Sequence, residues 1–184
     1  MKIHDTPLAG LKRVVLSPAV DKRGTFTRWF CDRELQGVLG DRHIVQANHS
    51  YTERVGAVRG MHFQVPPHAE VKLIRCIRGK VFDVAVDLRK TSETFLEWYS
   101  CELGGENQNM LIIPEGFAHG FQVLEAGSEL LYLHTEHYVP ESESGLRFDD
   151  PALTIAWPVP PKDVSSRDAA LPLITESFVG VSVD

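Results

Sequence analysis

The chain has 184 residues, 43% of them hydrophobic and 24% charged, and a formal net charge of −6. This is enough chain for one domain with a real core, in an ordinary globular composition. The acidic balance argues against nucleic acid as a partner, and apolar runs of about five residues fall far short of the ~20 a membrane span needs, so no membrane is expected either.

In chain order, Met1 to Gly10 carries His4 and Asp5 and lacks the apolar centre of a signal peptide, so the expected location is the cytoplasm. Strands are predicted over Leu11–Leu16 and Thr25–Phe30, then two helical turns over Asp32–Leu39 that end at Gly40. Further strands are predicted at Val45–Tyr51, Ala57–Phe63 and Val71–Ile77. Lys80–Leu88 alternates, with Phe82, Val84, Val86 and Leu88 on one face and Val81, Asp83, Ala85 and Asp87 on the other. Arg78-Gly79 joins it to the preceding strand as a hairpin. Phe95–Leu103, Asn109–Ile113, Ala118–Leu124 and Glu129–Thr135 complete the predicted strands, separated by Gly104-Gly105, Pro114-Glu115-Gly116 and Ala126-Gly127. Pro158, Pro160 and Pro161 make an extended linker, and Ser165–Ala170 starts a short helix capped by Ser165 or Ser166. Many short strands with frequent turns predict an all-β barrel or sandwich. Cys31, Cys76 and Cys101 are odd in number and widely spaced, which suits reduced thiols and neither a disulfide framework nor a zinc pair. A Rossmann glycine fingerprint and a P-loop are absent.

Charge is uneven: from Arg54 to Lys90 there are eight basic residues and three acids, which suits a small anionic ligand held locally or, equally, a solvated strand face. Three segments carry residues that do chemistry. In Pro114 to Phe121 the P-x-G-x-x-H spacing ends on His119, and resembles the second motif of cupin barrels, where the histidine is often a metal ligand. A metal site needs more, usually an H-x-H plus a carboxylate, and the corresponding stretch Arg59-Gly60-Met61-His62-Phe63-Gln64 has one histidine only, so no metal is expected. As a regular strand that stretch puts Arg59, Met61 and Phe63 on one face and His62 on the other, unless Gly60 bulges. His62 taken alone is more often structural than a general base. In Leu130 to Tyr138, Tyr132, His134 and Glu136 alternate on one face. Taken alone, the tyrosines are amphipathic core fillers.

Together these segments are specific. Asp21-Lys22-Arg23-Gly24-Thr25-Phe26, Gln46-Ala47-Asn48-His49-Ser50, Arg59 to Gln64, Lys72, Phe82 to Asp87, Pro114 to Phe121, Tyr132, Asp149-Asp150-Pro151, Ala156-Trp157-Pro158 and Ser166-Arg167-Asp168 occur in this order. The pattern resembles the dTDP-4-dehydrorhamnose 3,5-epimerase family from about residue 7 to about residue 173. The resemblance implies a cupin-like jelly-roll barrel with short peripheral helices, a homodimer, no cofactor and no metal. It implies one domain over 1–184, with a barrel core about 43–140 and a tail about 158–184. The implied substrate is a nucleoside-diphosphate 4-keto-6-deoxyhexose, inverted at carbons 3 and 5 through an enolate. By the same resemblance His62 is the base, Asp168 the carboxylate behind it, Tyr132 the acid and Lys72 the cation near the ketone oxygen. Arg23 and Arg59 clamp the diphosphate, Phe26 and Tyr138 flank the nucleoside, and Gln46, Asn48, Ser50, Asp83 and His119 line or brace the pocket. Arg28 belongs to the implied substrate site but stands where the family usually carries an acid, which leaves the nucleobase open. His134 and His137 also depart from the commoner residue types. Rival readings are an epimerase acting at one carbon, a metal-dependent cupin enzyme, and a sugar-nucleotide binder without catalysis.

Overall fold

The computed structural model describes residues 1–183. It contains β1 (Lys2–Asp5), β2 (Lys12–Val15), β3 (Ala19–Asp21), β4 (Gly24–Phe26), helix α1 (Asp32–Leu39), β5 (Gln46–Thr52), β6 (Val58–Gln64), β7 (Lys72–Arg78), β8 (Lys80–Asp87), β9 (Trp98–Gly104), β10 (Asn109–Ile113), β11 (Phe117–Val123), β12 (Ser128–His134), β13 (Glu143–Gly145) and helix α2 (Ser166–Ala169). A six-stranded sheet runs β1-β2-β10-β7-β12-β5 and a five-stranded sheet runs β13-β6-β11-β8-β9. The named strand pairs are antiparallel. The fold is all-β, as the short-strand pattern predicts.

The clean alternation of β8 has a simple cause. Val81 and Ala85 point into the space between the sheets, where they pack with Ile74, Leu111, Phe121 and Leu130. Val84, Val86 and Leu88 point outward and are also buried, because Leu146, Leu153, Trp157, Ile174 and Phe178 of the C-terminal region cover that face. The outer face of the six-stranded sheet is covered in turn by Leu35 and Leu39 of α1, against Val14, Leu73, Met110 and Ile112. Each large side chain so buried contributes about 1.5–3 kcal/mol relative to exposure.

Three predictions about elements differ from what is observed. β1, β3 and β13 escape the sequence pattern: β1 and β3 are exposed throughout, so no buried face imposes an alternation, and β13 is only three residues long. Strand structure stops at Phe26, and the expected extension to Phe30 is irregular, because Trp29 and Phe30 turn onto the α1 cluster instead. The sheets also reach outside 43–140, since β2 pairs with β10 and β13 pairs with β6. Helix α2 is capped by Ser165, whose side chain accepts from the Asp168 N–H.

A bulge in β6 decides the geometry of the cleft. His62 pairs with His119 and Arg59 with Phe121, so three steps along β6 match two along β11. The odd step turns Arg59 onto the face that His62 occupies. Two glycines permit it: a Cβ on Gly60 would lie 2.6 Å from the Gly120 Cα, and one on Gly120 would lie 2.8 Å from the Arg59 carbonyl oxygen. Gly60 also has φ +115°, outside the range of ordinary side-chain-bearing residues.

Candidate active site

Between the two sheets opens a cleft of about 790 Å³, lined by residues of β5, β6, β7, β11 and β12 and by the tail around α2. That is the size of a pocket that encloses a substantial small molecule. It brings together Asn48, Ser50, Arg59, His62, Lys72, His119, Tyr132, Tyr138 and Asp168 of the residues singled out in the sequence.

The five-stranded sheet contributes His62, whose Nε2 lies 2.8 Å from Asp168 Oδ1. The other Asp168 oxygen accepts from the Gly60 N–H at 3.2 Å. Asp168 is 106 residues away in sequence and arrives only because the tail folds back over β6. A carboxylate on Nε2 keeps that nitrogen protonated, so Nδ1 is the basic atom. Burial lowers the His62 pKa below its ordinary value, and the Asp168 carboxylate opposes that fall. The lowered pKa favours the neutral ring, able to take a proton, at neutral pH.

The six-stranded sheet contributes Tyr132, whose phenol oxygen lies 3.0 Å from Ser50 Oγ. Burial pushes this phenol far above its ordinary pKa, partly offset by Ser50, so it holds its proton at neutral pH and can donate it. Lys72, on the adjacent β7, donates to the His62 carbonyl at 3.3 Å and pairs with Glu70 at 3.1 Å. His62 and Tyr132 thus project into one cleft from opposite walls.

His119 donates to or accepts from Asp83 Oδ2 at 2.9 Å, and its ring lies edge-on to Tyr132 at 6.2 Å. Asp83 lies beneath it, fully buried, with its pKa raised by burial against the opposing influence of His119. Arg59 is held by the Thr52 hydroxyl at 3.0 Å and the Tyr51 carbonyl at 3.3 Å. Gln46 stands behind the cleft and takes the Tyr138 N–H on its Oε1 at 3.0 Å. Tyr138 donates its hydroxyl to Glu143 Oε2 at 2.5 Å, and Glu143 also pairs with Arg167.

Besides Gln46 and Asp83, which stand behind its lining, three of the singled-out residues do not reach this cleft within the chain. Arg23 and Phe26 sit on the β3–β4 hairpin around a separate shallow recess, with Phe26 76% exposed. Arg23 is turned back on Asp21 through two guanidinium nitrogens. Arg28 donates to Glu34 of α1 at 2.8 Å, and Glu34 also binds the N-terminal ammonium. Conversely, the cleft contains Glu70 and His134, which the sequence reading left out of the site. Glu70 sits two residues before Lys72, a spacing that places both on one face of an extended chain, and Tyr132 and His134 share the same relation. Among the described residues no group of three or more His, Cys, Asp or Glu side chains is arranged to hold a metal ion.

Comparison with known proteins agrees with this geometry. The family model for dTDP-4-dehydrorhamnose 3,5-epimerase matches residues 5–176. The chain belongs to that family. The dTDP-4-dehydrorhamnose 3,5-epimerase of Salmonella typhimurium is 41% identical over 170 residues, 90% of this chain and 92% of the relative. Among epimerase structures, that from Legionella pneumophila in complex with dTDP-4-keto-L-rhamnose superposes with a TM-score of 0.91 at 36% identity, covering 100% of this chain and 98% of that one. A 3'-monoepimerase from Streptomyces bikiniensis in complex with dTDP-quinovose gives 0.85 at 30% identity, over 92% and 86%. The cupin-like architecture expected from the resemblance is the architecture this epimerase family member has. No helix among the described residues is long and apolar enough to cross a membrane.

Proposed function

We propose that the protein inverts carbons 3 and 5 of a nucleoside-diphosphate 4-keto-6-deoxyhexose, with dTDP-4-keto-6-deoxyglucose as substrate and dTDP-4-keto-rhamnose as product. The observation that carries this reading is a His62–Asp168 pair on one sheet facing a protonated Tyr132 on the other. Both target carbons flank the ketone, so their protons become removable once the enolate is stabilised. His62 Nδ1 takes the proton from one face. The electron pair moves into the ketone, and the Lys72 ammonium opposes the charge that develops on its oxygen. The Tyr132 hydroxyl returns a proton to the same carbon from the other face, and solvent resets both groups. Arg59 suits the diphosphate because its fork is already oriented by Thr52 and Tyr51.

The same reading includes a homodimer. Arg23, Phe26 and Arg28 belong to the substrate site by resemblance yet sit outside their own cleft. The hairpin that carries Arg23 and Phe26, with Arg28 just beyond it, exposes Val20 and Phe26, at 73% and 76%, which suits insertion into a second copy's cleft. One working domain spans the chain, because the tail supplies Asp168 to the barrel. Three free cysteines suit a reducing, cytoplasmic setting.

The test is proton NMR in deuterated water with dTDP-4-keto-6-deoxyglucose. Loss of the carbon-3 and carbon-5 signals, with a rhamno-configured product after reduction, is expected. Exchange at one carbon makes the protein a mono-epimerase, and no exchange with any nucleotide form rejects the reading.

A further inference from the structure

We propose that His134 and Glu70 are positioning residues which, through one directed chain of hydrogen bonds, set the amide of Asn48 and the ammonium of Lys72 in the cleft. The inference rests on the epimerase reading for its consequence, and on geometry for its existence.

The chain begins at the Tyr138 backbone N–H, which can only donate. It donates to Gln46 Oε1 at 3.0 Å, so the Gln46 Nε2 end faces the other way. That Nε2 lies 3.4 Å from Asn48 Oδ1, and the Asn48 Nδ2 lies 3.3 Å from His134 Nε2. The remaining ring atom, His134 Nδ1, lies 2.6 Å from Glu70 Oε2. The other Glu70 oxygen takes Lys72 Nζ at 3.1 Å. A carboxylate can only accept, so both ends of the chain impose the same direction. Each amide has one orientation that satisfies its neighbours, and His134 must carry its proton on Nδ1 and leave Nε2 bare.

Three further observations favour a role rather than a chance contact. Both side chains are nearly enclosed, His134 at 9% and Glu70 at 8% exposure, so their partners must come from the protein. Burial alone would raise the Glu70 carboxyl, yet His134 and Lys72 hold it below the ordinary range as a carboxylate. The His134 ring also stacks beside Tyr132, with centroids 6.2 Å apart and planes 19° apart. One imidazole therefore touches the wall that carries the acid, the amide that faces the ligand and the carboxylate that faces the cation. The two amide links, at 3.4 and 3.3 Å, are the longest in the chain of hydrogen bonds.

The test has a spectroscopic arm and a kinetic arm. In the full chain labelled with 15N-histidine, long-range proton–nitrogen correlation near neutral pH should show His134 protonated at Nδ1 only. A proton on Nε2 overturns the chain. His134→Leu fills the site without polar atoms and should lose about 10- to 100-fold in kcat/KM, the scale of a small misplacement of positioned groups. His134→Gln can accept from Asn48 and donate to Glu70 together, and should recover most of that loss. Equal loss in both variants with unchanged melting temperatures overturns the proposal, as does full activity in His134→Leu. If the wild-type protein epimerises no nucleotide sugar, the functional reading fails, while the tautomer still decides the chain.

Discussion

The cleft floor and the β3–β4 hairpin are opposites in construction. His62, Lys72, His119 and Tyr132 stand on central strands, and each has a partner within the same chain. Arg23 and Phe26 stand on a two-stranded ribbon exposed throughout, paired with nothing but itself. The side chains proposed for proton transfer are thus all held within one chain, by two sheets and a folded-back tail. Arg23 and Phe26, proposed to meet the nucleotide, are instead presented outward, open to the second copy proposed above.

The largest effect should come from the floor. His62→Ala and Tyr132→Phe each should lower kcat by about 10²–10⁴-fold, the usual contribution of a positioned acid or base. Steady-state turnover checks this, and near-normal rates in either variant break the assignment. Next comes the bulge beneath it. Gly120→Ala places a Cβ 2.5 Å from Met61 Sδ, and should destabilise the fold by about 1–3 kcal/mol while dragging His62 out of register. Thermal unfolding and activity should fall together.

The hairpin gives the sharper test of the comparison. A mixture of His62→Ala and Arg23→Ala chains rebuilds one intact site per mixed dimer if the hairpin serves its partner. Activity should rise well above that of either variant alone. If each hairpin serves its own chain, every site carries a lesion and mixing restores nothing. Arg59→Ala, at the edge of the floor, should mainly raise KM, by on the order of 10-fold for a lost charged hydrogen bond. An unchanged KM counts against the clamp.

The smallest effect is a shift in pH dependence. Burial lowers the His62 pKa and Asp168 raises it back in part. Activity needs the neutral ring, so it falls as pH drops through that pKa. Asp168→Asn removes the opposing influence, moves the acidic limb of kcat/KM to lower pH and reduces the plateau because the base is weaker. A limb that moves toward higher pH contradicts the pairing.

Much of this site was legible in the chain. The alternation of Lys80–Leu88, the turn before His119 and the ordered segments from Asp21 to Asp168 carry the fold class and the family. They are legible because burial on a strand leaves a period-two trace and because turns need glycine and proline. The Gly60 bulge was visible only as an option, since a glycine permits the irregular step without requiring it. Glu70 and His134 left no trace beyond same-face spacing with Lys72 and Tyr132, because nothing local says that the loop before β7 and the end of β12 meet.

The sequence by itself determined an all-β chain with a histidine, a tyrosine, a lysine and a distant aspartate in a family's order. Only the tertiary structure decided that His62 and Asp168 meet at 2.8 Å, that His62 and Tyr132 face one cleft from two sheets, and that Arg23, Phe26 and Arg28 lie outside that cleft. The reason is physical. Strand periodicity is written by each residue's own burial, whereas a pair 106 positions apart depends on how a tail that covers one face of a sheet also reaches the cleft on the other.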